Sequence, residues 1–324
     1  MSRDVVVLPE RSRILANTVP PMVSGAGPAA EFAYEEFIFG AISNSHTKEA
    51  YGRAVREFLK FTEFQYGCTL ATISPRMVRE YISGCNGGIA KRKQHLSALR
   101  HFFDICVTRH AVPLNPALSV RGDRYSQVEG KTPDIGKADC RKLLASIDTS
   151  TLIGKRDVAI ISVLIYTAAR VGAVAALTCD DFYHAGNQWM LHFVEKGGKS
   201  REIPVRHDLQ LILSDYVTTG GLDTAARNAP LFSSICRAEG VLSGRSLTRI
   251  DIARILKRRL RKAELSSRLS AHSFRVTTIT DLLEQDIPLE DVQQLAGHCD
   301  PRTTRLYDRR RRTITRNIVE RISV

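Results

Sequence analysis

One run of the chain, Arg156-Asp-Val-Ala-Ile-Ile-Ser-Val-Leu-Ile-Tyr-Thr-Ala-Ala169, limits the possible folds more than any other. Its apolar residues recur on nearly every side of a helical projection, and such a helix has to be enclosed by other elements. No uninterrupted apolar stretch reaches the length of a membrane span, so the enclosure is a protein core. The run ends at Arg170, which delivers a charge into or beside that core. An arginine there extends its head to solvent in many proteins.

The 324 residues leave room for two domains. A hydrophobic share of 43% supplies ordinary cores, and 25% charged residues argue against wholesale disorder. The net charge of +13 and pI of about 9.6 point to a polyanionic partner, most simply nucleic acid. Charge alone does not separate DNA from RNA or an acidic membrane. The cysteines (Cys68, Cys85, Cys106, Cys140, Cys179, Cys236, Cys299) show no metal-ligand spacing and read as free thiols of a reducing compartment. Val5-Val-Val-Leu8 is too short for the core of a secretion signal and lacks a basic leader. A soluble, cytoplasmic protein with no membrane partner is expected.

Residues 1–33 carry Pro20-Pro21 and Ser24-Gly-Ala-Gly-Pro28 and read as a mostly flexible arm. Helical periodicity then sets in from Asn44 to Gly67, with Tyr51, Val55, Phe58, Leu59 and Tyr66 on one stripe. Ser74-Pro75 starts a second helix and Ile89 to Arg109 forms a third, whose polar face holds Lys91, Arg92, Lys93 and Arg100. These are solvated charges or phosphate contacts that position without reading sequence. The helical domain spans 34–122, a linker 123–133, and a second domain 134–310.

In that second domain Trp189, Leu191 and Phe193 alternate as a half-buried strand does. Glu195-Lys-Gly-Gly-Lys199 supplies a turn and Arg201 to Val205 returns, which predicts a β-hairpin. Residues 206–264 read as mainly helical. Thr248 to Leu265 is amphipathic, with Lys257, Arg258 and Arg259 among five cations placed outward; an anionic partner, DNA, would offset their crowding.

Ala271-His-Ser-Phe-Arg275 gathers the chemistry. His272 and Arg275 lie three apart and share a helical face, where an imidazole and a guanidinium suit a phosphate. Gly297 has the place of a left-handed helix end, which presents His298 just beyond it. Asp300-Pro301 caps a new helix carrying Tyr307. Alone, a His-x-x-Arg pair is usually a solvated or core contact and a helical tyrosine usually packs; in this order and spacing the set points to one site.

His272-x-x-Arg275, Gly297-His298 and Tyr307 resemble the C-terminal signature of the tyrosine recombinases, the phage-integrase, Cre and Xer family. Arg170, Leu177, Thr178 and Asp181 fall where the Xer-type pattern has its first arginine, leucine, threonine and aspartate. The resemblance covers about residue 34 to the end. Two departures stand out: Thr-Gly-x-Arg is Thr167-Ala-Ala-Arg170 here, and Arg-x-Ser-Glu is Arg170-Val-Gly-Ala173. The second removes a carboxylate that usually orients the site, a role open to Asp180 or Asp181.

The resemblance implies a mainly α fold with a small β-sheet in the catalytic domain, preceded by an all-helical domain that helps clamp DNA. It implies Arg170, Lys196, His272, Arg275, His298 and Tyr307 as catalytic residues, with Lys199 as the alternative lysine. Tyr307 would attack a DNA phosphodiester to give a 3′-phosphotyrosine, with no metal or other cofactor. Strands would pass between two sites of double-stranded DNA through a Holliday junction held by a homo-tetramer. The apolar stripe Ile314, Ile318, Val319, Ile322 would be a tail helix, 311–324, docked on a neighbouring subunit or on its own. The setting would be prokaryotic or a mobile element, beside the nucleoid. A type IB topoisomerase would use similar chemistry as a monomer, and a non-catalytic regulator would keep the scaffold without the reaction.

Overall fold

The computed structural model describes residues 19–123, 132–194, 198–236 and 238–308. Lys196, the tail helix 311–324 and most of the predicted linker lie outside the described residues. Contacts divide the chain into two compact units, Met1–Ser126 and Gln127–Val324.

The first unit is helical throughout: α1 (Pro21–Ser24), α2 (Pro28–Glu35) continuing as a π-turn at Glu36–Gly40, α3 (Ser45–Tyr66), α4 (Pro75–Gly84) and α5 (Ile89–Thr108). The ends of α3 follow from local chemistry. Asn44 Oδ1 accepts from the amides of His46 and Thr47, both at 3.1 Å, and Gly67 closes the helix in the left-handed region. Val55, Phe58 and Leu59 on α3 pack with Val78 and Tyr81 on α4 and Leu99, Phe102 and Phe103 on α5.

For residues 19–33 the expectation of a flexible arm is corrected; residues 1–18 of that arm lie outside the described residues. Met22, Val23, Ala30 and Ala33 belong to this same core. The Pro-Gly composition that reads as flexible instead starts two short helices, because Pro21 and Pro28 both occupy first-turn positions where a missing N–H costs nothing.

The second unit holds α6 (Lys137–Ala145), α7 (Leu152–Thr167), α8 (Val171–Ala175), β1 (Phe182–Ala185), β2 (Gln188–Val194), β3 (Ser200–Pro204), α9 (His207–Thr219), β4 (Ser233–Cys236), β5 (Val241–Ser246), α10 (Arg249–Lys262), α11 (Ala271–Glu284), α12 (Leu289–Ala296) and α13 (Pro301–Arg305). As its composition requires, α7 is enclosed: Val158 to Leu164 are all buried, against α9, α10 and α11. Its start is tight. A Cβ at Gly154 would lie 1.7 Å from the Asp148 carbonyl oxygen, so only glycine fits. The predicted hairpin is β2–β3, joined antiparallel with Leu191 opposite Ile203. Two further pieces of sheet were not legible: β1, which completes an antiparallel β1-β2-β3 sheet, and the β4–β5 hairpin inside the stretch read as helical.

Several basic residues expected to face DNA are engaged within the fold. Arg100 donates to the carbonyls of Ala117 and Val120, at 3.2 and 2.6 Å, and so ties down the segment after α5. Arg92 pairs with Asp123 at 2.8 Å. Lys257 donates to the Leu269 carbonyl at 2.7 Å. Arg259, expected to point outward, is buried and lies 2.7 Å from Asp157; Arg258 reaches the same carboxylate at 3.0 Å. Part of the anion that offsets their crowding is therefore supplied by the chain itself.

Asp157 is fully buried and also bonds Arg156 at 2.8 Å, so three guanidiniums rest on one carboxylate. Replacing it by alanine would leave those cations uncompensated in low dielectric. Asp157→Ala is expected to cost about 3–5 kcal/mol, read as a lowered urea midpoint; a shift below about 1 kcal/mol would remove this account of the core.

Candidate active site

Three helix ends build the site. α7 stops at Thr167, earlier than the apolar run implies, because Ala168 turns into the left-handed region at φ 49°. Arg170 is then the exposed N-cap of α8 rather than the end of α7. α12 ends on Gly297 in the left-handed conformation, φ 63°, as predicted, and releases His298. Asp300 caps α13 by accepting from the Arg302 amide at 2.9 Å. Tyr307 lies just past the end of α13, in the turn after Leu306, rather than on the helix.

Arg170, His272, Arg275, His298 and Tyr307 line one cavity of about 330 Å³, with Ala169, Val171, Ala271 and Thr303. Five of the six residues predicted as catalytic thus meet, and the sixth, Lys196, lies outside the described residues. Among the described residues no acid contributes to that lining. The Tyr307 hydroxyl is 3.2 Å from His272 Nε2, and its ring stacks on His298, with centroids 5.7 Å apart and planes at 9°. Thr280 donates to the Tyr307 carbonyl at 3.3 Å, which fixes the backbone beneath the ring. His298 Nδ1 lies 2.9 Å from Thr304 Oγ1.

Arg275 is 2% exposed and donates to the carbonyls of Ala168 and Ala296. These are carbonyls at the ends of α7 and α12. Ala168 occupies the position where the family pattern has glycine. Its left-handed backbone strains a Cβ by about 1–2 kcal/mol. The methyl is fully buried among Val276, Ile279 and Tyr307, which offsets part of that cost.

Asp181 does not orient these cations: it accepts from Thr178 N and Oγ1, each at 2.8 Å, and holds His192 Nδ1 at 2.7 Å. His192 Nε2 in turn meets Ser200 Oγ at 2.6 Å, so Asp181, His192 and Ser200 tie together the stem of the β2–β3 hairpin. Asp180 faces Arg227. The backbone carbonyls take the orienting role at Arg275.

Burial, then the charge of Arg170, pushes Arg275 down to about 10, partly offset by the adjacent Tyr307; it stays a cation at neutral pH. Burial, then Arg275 and Arg170, pushes His298 down to about 3. The packing around His272, then Arg275 and Arg170, lowers it too, although its edge keeps solvent access. Both imidazoles are consequently neutral at pH 7, and His272 can accept the Tyr307 proton.

Arg201, which sequence reasoning treated only as strand, brings a third guanidinium: it lies over the Phe193 ring at 5.5 Å, and its charge lowers both Arg275 and His298. The signal was a cation at the head of the returning strand of the hairpin. Lys199 sits 3.1 Å from Cys299 Sγ, one residue beyond His298, and this contact lowers the thiol.

A pH dependence follows. His298 is depressed in the folded state relative to about 6.5 when unfolded, so between those values the unfolded chain binds more protons. The stability it contributes is complete above pH 6.5 and falls on acidification towards pH 3. DNA-free protein is expected to lose up to about 1.4 kcal/mol per pH unit below 6.5 from this group. His298→Asn should flatten that slope in urea titrations between pH 7 and 5; an unchanged slope would assign it to other groups.

Comparisons with known proteins bear on the family and the fold. The model of the phage integrase family matches residues 134–313, and that of the phage integrase N-terminal SAM-like domain matches 33–110. Tyrosine recombinase XerC of Pelobacter propionicus is 29% identical over 266 residues, covering 81% of this chain and 84% of the relative. Tyrosine recombinase XerD of Pseudomonas putida is 31% identical over 216 residues, covering 65% and 68%. Among solved structures, the XerH recombinase in a post-cleavage complex with its difH substrate aligns with a TM-score of 0.69 at 17% identity, over 90% of this chain and 94% of that one. A λ integrase tetramer bound to a Holliday junction aligns at 0.65 and 15% identity, over 95% and 84%. These likenesses carry the fold, mainly helical with small antiparallel sheets. The match to the family model spans more than half of the sequence, and the chain belongs to the phage integrase family of tyrosine recombinases.

Proposed function

We propose that this chain is a site-specific recombinase that cleaves and rejoins double-stranded DNA with Tyr307 as nucleophile. One observation carries the reading: a tyrosine hydroxyl 3.2 Å from an imidazole nitrogen, in a cavity lined, among the described residues, by two arginines and no carboxylate. Such a cavity suits a phosphodiester. The guanidiniums of Arg170 and Arg275 stabilise charge on the non-bridging oxygens, each binding two at once. His272 takes the phenolic proton as the Tyr307 oxygen bonds to phosphorus, and His298 donates to the phosphate.

The bond to the 5′ oxygen breaks, and that oxygen leaves with a proton supplied by a lysine of the β2–β3 hairpin, Lys196 or Lys199. The product is a 3′-phosphotyrosine and a free 5′ hydroxyl. A 5′ hydroxyl from a second duplex reverses the step, which rejoins DNA to a new partner without a metal. Two duplexes exchanging strands one pair at a time pass through a four-way junction, and a homo-tetramer supplies the four nucleophiles. Lys91 and Lys93, exposed on α5, are proposed backbone contacts. Among the described residues no helix is long and apolar enough to cross a membrane.

The test is a duplex nicked close to the scissile phosphate, from which the cleaved fragment diffuses away. The chain should become covalently linked to the 3′ end and, on paired intact sites obtained by in vitro selection, yield recombinant products. Linkage without products would leave a topoisomerase-like activity. Absence of any linked species on selected sites would refute the assignment.

A further inference from the structure

Away from the scissile-phosphate cavity, a second cavity of about 290 Å³ is walled by the start of α7, the β4–β5 hairpin and α10, and shares no residue with the first. Arg156, Arg245, Arg254 and Arg258 line it. Arg156 forms its floor and is 6% exposed. Its guanidinium donates to Asp157 Oδ1 through Nε and Nη2 and to the Ser233 carbonyl through Nη1, at 3.1, 2.8 and 3.1 Å. A guanidinium has five N–H donors, so two remain beyond these three contacts.

The local charge does not balance. Beneath the cavity Arg156, Arg258 and Arg259 share the single carboxylate of Asp157. On its rim Arg245 donates to Ser234 Oγ at 3.3 Å, and the acid in the described lining is Asp251, whose carboxylate is taken by the Thr248 amide and hydroxyl at 3.0 and 2.8 Å. Arg254 stays 3.7 Å from it and 77% exposed. Among the described residues five guanidiniums therefore face Asp157 and Asp251, both already used by the fold, with Asp148 acting on Arg259 from further off. Their mutual repulsion is relieved best by an anion that accepts several N–H bonds at once, which is the chemistry of a phosphate group.

We infer that the cavity between α7, α10 and the β4–β5 hairpin is a second phosphate seat, with Arg156 as its buried floor and Arg245 and Arg254 as its rim. The phosphate belongs to a nucleic-acid backbone or to a free polyphosphate, and the two sources are separable. The backbone source alone rests on the proposed action on DNA.

The test compares the full chain with an Arg245→Ala/Arg254→Ala double variant. These side chains are exposed and lie outside Asp157's ion-pair network, so the fold should survive. Melting is followed with increasing inorganic pyrophosphate, and affinity for intact duplex is measured from 0.05 to 0.3 M salt. For a backbone phosphate, the plot of log affinity against log salt becomes shallower by about one, equally for selected and unrelated duplexes. For a free polyphosphate, that slope is unchanged while the pyrophosphate-induced rise in Tm shrinks. If the double variant keeps both the wild-type salt slope and the wild-type pyrophosphate response, the seat does not exist. Covalent capture on nicked DNA at saturating enzyme should persist in the variant either way, so loss of the seat is distinguishable from failure of the tyrosine chemistry.

Discussion

Tyr307→Phe is expected to abolish covalent capture of nicked DNA, a fall on the order of 10⁴-fold or more, while duplex binding is retained. The substitution removes one oxygen, and with it the atom that would bond to phosphorus. The ring is 7% exposed and stacked on His298, so phenylalanine occupies the same space. Loss of the 3.2 Å contact to His272 should cost no more than about 1.5 kcal/mol of stability. Residual capture within tenfold of wild type would mean that another nucleophile acts.

If Tyr307 is the nucleophile as proposed, the same geometry predicts that each subunit attacks with its own tyrosine. Tyr307 lies in the cavity formed by Arg170, His272 and Arg275 of its own chain. A mixture of Tyr307→Phe and Arg275→Lys proteins should therefore not regain capture. Recovery towards a quarter of the wild-type yield would show that the tyrosine is delivered to a neighbour.

Arg275→Lys is expected to slow capture by about 10²–10³-fold, the typical cost of losing one well-placed oxyanion donor. A lysine keeps the charge but not the planar fork. Here the fork has two duties, since the guanidinium also holds the carbonyls of Ala168 and Ala296. Stability should drop as well, and that complicates the reading of this variant alone. Arg170→Lys separates the two effects. Arg170 is exposed, so lysine can keep its charge there without being packed into the core, and it reaches the Gly297 carbonyl at 3.4 Å. Its loss should slow capture comparably with little change in Tm. If both variants cleave within threefold of wild type, neither guanidinium stabilises the transition state.

Much of the site was legible because it is punctuated by residues with few conformational choices. Gly297, Asp300 and Pro301 announce a helix end and a helix start, and they place His298 and the turn to Tyr307 between them. The enclosed α7 was legible from its lack of a polar side. What failed shares a physical cause: charge was read as exposure. Arg100 and Arg259 look like surface cations in sequence, yet each finds acceptors across the fold, at Ala117 and Val120 or at Asp157. Partners that far apart in the chain leave no local trace.

The β4–β5 hairpin escaped for another reason. Its strands are short, rich in serine and mostly exposed, so the alternation that reveals a half-buried strand is missing. Helix α2 was hidden by the glycines around it, although Pro28 after Gly27 is itself a start signal.

Among the described residues Arg275 is anchored by main-chain oxygens rather than by an acidic neighbour, and this bears on how such a protein can change over time. Main-chain oxygens survive every substitution, so drift of nearby side chains, alanine at position 173 included, leaves the anchor in place. The vulnerable points are instead the two reversals of chain direction at Ala168 and Gly297 that aim those oxygens inward. Lineages that abandon the chemistry without discarding the scaffold should show their first lesions at those bends, before the pocket's own residues are touched.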